Sequence, residues 1–204
     1  MYPAPLLIFA DGESMACMDT LELTGTSFEF TTSACVSSDI SSALARHLPT
    51  GSTLLELGSG CGSDLPWLAN RYRVTASDIC EDVIASYQNN NPYTPILRLD
   101  ALTIELVDQF DCIFSNKVMQ HLSDEEMCRS MQRQAQVVRP GGVVAHTFWV
   151  NTSIRQAQAP HTNHSHAQLI RVVSMHFEIM EVAQYSSSTP FDSLLVITRN
   201  SLFQ

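Results

Sequence analysis

Five short apolar runs alternate with longer segments of helical period between Ser52 and Val150, and this alternation constrains the fold more than any other feature. A chain that alternates strands with helices builds a parallel sheet whose faces the helices cover. The sequence therefore predicts an α/β domain. The predicted strands are residues 53–57, 73–78, 96–100, 110–115 and 142–149, and the predicted helices between them are residues 65–71, 82–89 and 124–138.

The segments on either side of this alternation also carry regular patterns. Residues 39–47 place their apolar side chains on one helical face, and residues 166–175 are predicted to form a short helix. Residues 177–185 and 193–199 are strand-like, and a serine-rich connection joins them. Because this connection is long enough for a hairpin but not for a crossover helix, we predict an antiparallel pair.

Two local signals bound the last helix of the alternating region. Ser123 is placed to cap the amino end of that helix. The triplet Pro140-Gly141-Gly142 ends the helix and is predicted to turn the chain into the fifth strand.

The first 37 residues are richer in Ser, Thr and Gly than the rest of the chain. They contain four large apolar side chains in near alternation, which a disordered tail would leave in water. We therefore predict an N-terminal arm or flap over residues 1–37, laid over a single domain that spans residues 38–204. The four side chains are Leu21, Leu23, Phe28 and Phe30.

Length and charge favour one domain with a small-molecule partner. The chain has 204 residues and 45% hydrophobic content, enough for one sizeable core. It carries 11 basic and 21 acidic residues, a formal net charge of -10, and the basic residues are scattered. Because nucleic-acid binding requires basic side chains that neutralise phosphates, nucleic acid is not an expected partner.

The sequence gives no sign of export or membrane attachment. The apolar stretch at residues 5–10 lacks a basic flank and is too short to span a bilayer. The six cysteines include no C-x-x-C pair and are too sparse for a disulfide scaffold. We therefore expect reduced thiols in a soluble, cytoplasmic protein without a membrane partner, either a monomer or a homodimer.

A glycine-rich loop and two aspartates follow neighbouring predicted strands. Gly58, Gly60 and Gly62 come directly after the first strand, where missing side chains allow tight turns and the close approach of a cofactor. Asp78 ends the second strand, where a carboxylate can accept hydrogen bonds from ribose hydroxyls, and Asp100 ends the third. Since ligands of open parallel sheets bind at the carboxyl ends of the strands, these features predict one nucleoside-binding crevice.

The loop differs from the dinucleotide fingerprint G-x-G-x-x-G. Its third glycine comes one position early, and Ser63 stands where that fingerprint has glycine. Asp64 then begins the next helix, where we expect it to cap the amides and to repel the phosphates of a pyrophosphate. An adenosyl sulfonium is positively charged and carries no phosphate, so the loop favours that ligand over a nicotinamide or flavin dinucleotide.

Together these motifs resemble the class I S-adenosylmethionine-dependent methyltransferases, specifically the compact group that acts on small molecules. The resemblance covers roughly residues 39–199 and implies a Rossmann-like, doubly wound seven-stranded sheet, with helices on both faces and the last strand antiparallel. It also implies S-adenosylmethionine as cofactor and S-adenosylhomocysteine as product. The matching motifs are residues 54–62, 76–79, 99–101, 110–116 and 137–142.

The resemblance carries cofactor contacts over to named positions of this chain. We expect them at the glycine loop, at the two acidic strand ends and at the end of the fourth strand. The predicted cofactor-binding residues are Glu56, Gly58, Ser59, Gly60, Gly62, Asp78, Ile79, Asp100, Ala101 and Ser115.

Methyl transfer from a sulfonium depends mainly on alignment of the reactants, and it needs a general base only if the acceptor must lose a proton. His121 follows the fourth strand and is the candidate catalytic residue; alternatively it packs beneath its loop and bonds a backbone carbonyl. The candidate substrate contacts are Phe28, Lys117, Gln120, His121 and Trp149, with core packing as the alternative for the aromatic residues.

His161, His164 and His166 suggest a metal site, but no cysteine or acidic residue lies nearby to complete a tetrahedral set of ligands, so no metal is predicted. The expected activity is methyl transfer to a small organic acceptor. Oxygen of a carboxylate or hydroxyl is the first expectation for the acceptor atom, and nitrogen is the second. Two alternatives remain open: a non-catalytic protein that senses or regulates through the cofactor, and a nicotinamide-dependent oxidoreductase, which the loop spacing disfavours.

Overall fold

The computed structural model describes residues 6–8, 14–16, 34–150, 164–186 and 192–201. A small antiparallel pair, β1 and β2, stands apart from a seven-stranded sheet. The strands are β1 (Leu6–Ile8), β2 (Ser14–Ala16), β3 (Thr53–Leu57), β4 (Arg73–Asp78), β5 (Ile96–Arg98), β6 (Phe110–Asn116), β7 (Val138–Val150), β8 (Glu178–Ser186) and β9 (Asp192–Arg199). The helices are α1 (Ala34–His47), α2 (Leu65–Leu68), α3 (Glu81–Asn90), α4 (Asp124–Val137) and α5 (His166–Ser174), with a 3₁₀ turn at Met119–His121.

The large sheet has the strand order β5-β4-β3-β6-β7-β9-β8. The first five strands in this order are parallel, and β9 runs antiparallel to both β7 and β8. The chain changes direction across the sheet between β3 and β6, which makes their carboxyl ends the topological switch point. The predicted seven-stranded, doubly wound sheet with an antiparallel last strand is confirmed.

Helices cover both faces of this sheet because side chains alternate along each strand. Leu55 and Leu57 of β3 are fully buried against one cluster, which includes Met127 of α4 and Leu169 of α5. Leu54, which precedes Leu55 and therefore points the other way, packs with α1 on the opposite face. The two hydrophobic cores therefore fix the orientation of β3, and with it the position of the loop that follows this strand.

Several elements differ in length from the sequence predictions. Helix α1 begins at Ala34, so its first residues come from the segment predicted as an arm. Helix α2 has four residues, because the amides of Arg71 and Tyr72 both bond to the carbonyl of Leu68 and turn the chain toward β4. Strand β7 begins at Val138, four residues early, and shifts register against β6 in its first residues.

The predicted cap of α4 is confirmed. Ser123 Oγ accepts from the amide of Glu126, and the Glu126 carboxylate accepts from the amide of Ser123. In the part of the chain that the structure describes, no helix is both long and apolar enough to cross a membrane. The rest of the predicted arm, with Leu21, Leu23, Phe28 and Phe30, lies outside the described residues.

Candidate functional site

The glycine loop after β3 has the left-handed backbone that the sequence predicts. The φ angles of Gly58, Gly60 and Gly62 are 65°, 54° and 89°. A Cβ at Gly58 would lie 2.5 Å from Val118 Cγ2, and a Cβ at Gly62 would lie 2.9 Å from the ring of Tyr87. Two of the glycines are therefore required by neighbouring protein side chains as well as by the turn. The spacing of the sequence did not reveal these contacts.

Ser59 fastens this loop to β4. Its amide donates to the carbonyl of Ser77 at 2.8 Å, and its hydroxyl accepts from the amide of Ser77 at 3.1 Å. The Ser77 hydroxyl donates in turn to the carbonyl of Glu56 at 2.7 Å. The side chain of Ser59, predicted to contact the cofactor, is thus buried and engaged inside the protein.

Asp78 joins the loop to the end of β4. One carboxylate oxygen accepts from the amide of Gly60 at 3.2 Å, and the other accepts from the amide of Cys80 at 3.0 Å. The side chain is buried, and burial raises the pKa of Asp78, while the two amides act in the opposite direction. Each oxygen keeps a lone pair for a further donor. The glycine loop after β3 and the aspartate at the end of β4, which the sequence predicts as separate features, are therefore in direct contact. Ile79 follows Asp78 in the chain.

The end of β5 is hydrogen-bonded to the end of β4 at Asp78. The amide of Leu99 donates to the carbonyl of Asp78 at 2.9 Å. Asp100 Oδ1 accepts from the amide of Leu102 at 2.7 Å, and the Ala101 carbonyl accepts from the Ser130 hydroxyl at 2.6 Å. The predicted crevice residues on three adjacent strands are therefore brought together.

Glu56 is a buried acid beneath the loop. Its side chain is 2% exposed, and Oε2 has no hydrogen-bond partner among the described residues. Burial, together with the negative charge of Asp64, raises the pKa of Glu56 to about 8. A cation bound nearby would lower the pKa of this carboxyl group and favour its ionised form.

Asp64 does not cap α2, so that part of the sequence prediction is wrong. Its backbone is helical, with φ -85° and ψ -18°, rather than in the extended conformation of a capping residue, and its side chain makes no capping bond. The carboxylate instead accepts from Trp67 Nε1 at 3.0 Å and from Asn116 Nδ2 at 2.8 Å. Asp64 thereby fixes the start of α2 to the end of β6.

Three predicted substrate contacts lie together at the carboxyl ends of β6 and β7. Lys117 has a φ of 60°, and its amide donates to both the carbonyl and the hydroxyl of Thr147 at 3.0 Å. Its Nζ lies 5.4 Å from the centre of the Trp149 ring. Gln120 Oε1 accepts from the amide of Trp149 at 2.5 Å. Burial lowers the pKa of the Lys117 ammonium.

The remaining predicted residues make the following contacts. The buried Ser115 hydroxyl bonds His146 Nδ1 at 2.8 Å, so this side chain is engaged within the core. His121 ends the 3₁₀ turn and is partly buried. His164 bonds the carbonyl of Leu122 and the carboxylate of Asp124. Phe28 and His161 lie outside the described residues, and within them no group of three His, Cys, Asp or Glu side chains could hold a metal.

The sheet order is that of the class I methyltransferase fold. Residues 54–142 match the model of the family described as a methyltransferase domain, and this match confirms the resemblance. Phosphoethanolamine N-methyltransferase 1 from Zea mays is 32% identical over 101 residues, which cover 46% of this chain. The match spans only 20% of the length of the maize protein.

Solved structures share the fold. The N-methyltransferase NodS from Bradyrhizobium japonicum, in complex with S-adenosylhomocysteine, matches with a TM-score of 0.69 and 18% identity over 81% of this chain and 85% of that one. Magnesium protoporphyrin IX methyltransferase from Synechocystis, with bound S-adenosylmethionine, matches with a TM-score of 0.64 and 18% identity over 82% of this chain and 78% of that one.

Replacing Gly58 by alanine should destabilise the protein through two separate effects. The positive φ costs about 1 kcal/mol, and the overlap with Val118 adds about 1–3 kcal/mol. Gly51→Ala is the control, because Gly51 has a φ of 84° but no atom within 4 Å of the added Cβ. Denaturant unfolding should show a larger loss for Gly58→Ala than for Gly51→Ala, and Val118→Ala should restore part of it. Equal losses would contradict the packing role of Gly58.

Glu56 should make the protein less stable as the pH rises. The folded pKa of about 8 lies above the ordinary 4.5, so this stabilisation is complete below pH 4.5 and is lost as the pH rises to 8. Glu56→Gln removes the titration, and its stability relative to the wild type should therefore increase across this window. Unfolding measured at several pH values checks this, with the exposed Glu105→Gln as control. A difference that does not change with pH would mean that the buried carboxyl is already ionised.

Proposed function

We propose that this chain transfers a methyl group from S-adenosylmethionine to a small organic acceptor and releases S-adenosylhomocysteine. The observation that carries the proposal is the Asp78 carboxylate, which is held at the end of β4 by the amides of Gly60 and Cys80. This arrangement presents a rigid acceptor for two ribose hydroxyls directly beside a glycine loop. The match of residues 54–142 to a methyltransferase domain supports the same assignment.

The residues present fit the cofactor. Asp78 would hold the ribose, and Asp100 with Ala101 would border the adenine at the end of β5. The carboxyl of Glu56, whose Oε2 lacks a partner among the described residues, and the charge of Asp64 would favour the cationic end. Ser115 contributes no side-chain contact in this proposal, because its hydroxyl is held by His146.

When bound, the cofactor supplies an activated methyl whose bond to sulfur breaks as the acceptor lone pair forms the new bond, and the electron pair returns to sulfur. The protein must align the acceptor with that methyl and exclude water. Lys117 follows β6, the strand that pairs with the glycine-loop strand, and Trp149 lies on β7 beside β6. Val118 lies so close to Gly58 that a Cβ added there would be 2.5 Å from Val118 Cγ2. We assign the acceptor to this half of the crevice, with His121 as the base only for an acceptor that must lose a proton.

Oxygen and nitrogen are the two candidate acceptor atoms for the methyl group. Oxygen follows from the sequence, because a carboxylate needs no general base. Nitrogen is supported by the name of the maize relative, an N-methyltransferase of phosphoethanolamine. Mild base cleaves a methyl ester but neither a methyl ether nor a methylamine, so base treatment of the labelled product identifies carboxylate methylation. Retention on cation exchange at acidic pH then separates a methylamine from a methyl ether.

Asp78→Asn should weaken the binding of S-adenosylhomocysteine about tenfold or more, since one charge-assisted acceptor for the ribose is lost. Isothermal titration calorimetry measures the affinity. Asp108→Asn, the same change at an exposed loop position, should bind as the wild type does. Unchanged affinity of a folded Asp78→Asn protein would remove Asp78 from the cofactor site.

Incubation with methyl-labelled cofactor and a metabolite extract should yield a labelled small molecule, identified by its mass. A protein that binds S-adenosylhomocysteine but labels nothing would contradict methyl transfer and favour a non-catalytic binding role. Heat-inactivated protein is the control for non-enzymatic methylation.

A further inference from the structure

Lys117 is the only lysine in the sequence, and it stands in the crevice rather than on a solvated surface. In a chain with a formal net charge of -10, a single ammonium at the carboxyl ends of the central strands is a specific feature of that site. It follows β6, the strand beside the glycine-loop strand, and it faces the ring of Trp149 near the end of β7.

The backbone of Lys117 is held in an unfavourable conformation. A φ of 60° costs a non-glycine residue about 1 kcal/mol, and such conformations persist where surrounding contacts impose them, often at functional sites. Here two bonds from the Lys117 amide to Thr147 impose it. In this conformation the Lys117 ammonium lies 5.4 Å from the centre of the Trp149 ring.

The ammonium of Lys117 has no direct ionic partner among the residues that the structure describes. Within the described ranges it makes no ion pair with a carboxylate, and the Trp149 ring offers only a partial substitute. Asp64 acts on it through its charge but is already bonded to Trp67 and Asn116. A partly buried cation that forms no direct ion pair with the described residues carries a desolvation cost, and an anionic ligand bound to it would offset that cost.

We infer that Lys117, positioned by Thr147 and Trp149, binds the carboxylate or phosphate of the methyl acceptor, so that the acceptor is an anionic small molecule. This inference rests on the proposed function and deepens it. The anion that binds Lys117 could instead be the carboxylate of the cofactor, and the experiment distinguishes the cofactor from the acceptor.

The first arm measures binding at Lys117 without activity. Because the chain has one lysine, its acetylation by acetic anhydride is measured in the peptide that contains Lys117, separately from acetylation of the N-terminal amine, by mass spectrometry. With S-adenosylhomocysteine bound, phosphate or benzoate should slow this acetylation about threefold or more, whereas benzamide and chloride at equal ionic strength should not. Equal rates in all four solutions would overturn the anion site.

The second arm identifies the source of the anion. Lys117→Met should bind S-adenosylhomocysteine and 5′-methylthioadenosine, which lacks the amino-acid part, as tightly as the wild type does. A loss of about tenfold for S-adenosylhomocysteine alone would assign Lys117 to the cofactor carboxylate and overturn the acceptor assignment. Arg129→Met, a loss of positive charge at an exposed position, is the matched control.

The third arm tests the acceptor itself. A metabolite extract is divided by anion exchange, and label should enter the retained, anionic fraction. Lys117→Met should raise the acceptor KM about tenfold or more, and Lys117→Arg should restore part of it. Label only in the unretained fraction would overturn the inference but leave methyl transfer intact. An absence of label in both fractions would contradict methyl transfer, while the acetylation arm still decides the anion site.

Discussion

The bonds from the amides of Gly60 and Cys80 to the carboxylate of Asp78 are the contacts on which the candidate site depends. They join three segments of the chain: the glycine loop after β3, the end of β4 and the start of α3. Hydrogen bonds to a charged acceptor are stronger than neutral ones, and here they are also buried. The amide of Leu99 on the carbonyl of Asp78 adds β5 to the same junction.

On the other side of the switch point, the site is assembled by contacts between distant parts of the chain. Asp64 at the start of α2 bonds Asn116 at the end of β6, and Val118 fills the space above Gly58. The loop that would hold the donor and the strand ends that would hold the acceptor are therefore one packed unit. This explains why the sulfonium and its acceptor would meet at the carboxyl ends of β3 and β6.

The sequence predicts the central strands well and the site only in part. The bounds of β3 and β4 agree with the structure to the residue, because short apolar runs between turn signals are local information. The bond from Asp64 to Asn116 joins residues 52 positions apart, so local pattern favoured a helix cap instead. The contact of Lys117 with Trp149 likewise depends on the pairing of β6 with β7, and the role of Ser115 in the core depends on His146 across that pair.

The central claim is that this crevice accepts an adenosyl group joined to an amino acid and rejects a pyrophosphate. Calorimetric titration of the wild-type protein with S-adenosylhomocysteine and, separately, with NAD tests it directly. The negative charge of Asp64 beside the loop predicts saturable heat with S-adenosylhomocysteine, whose amino group is cationic, and none with NAD, whose pyrophosphate is anionic. Binding of NAD, or the absence of binding by S-adenosylhomocysteine, would contradict the account.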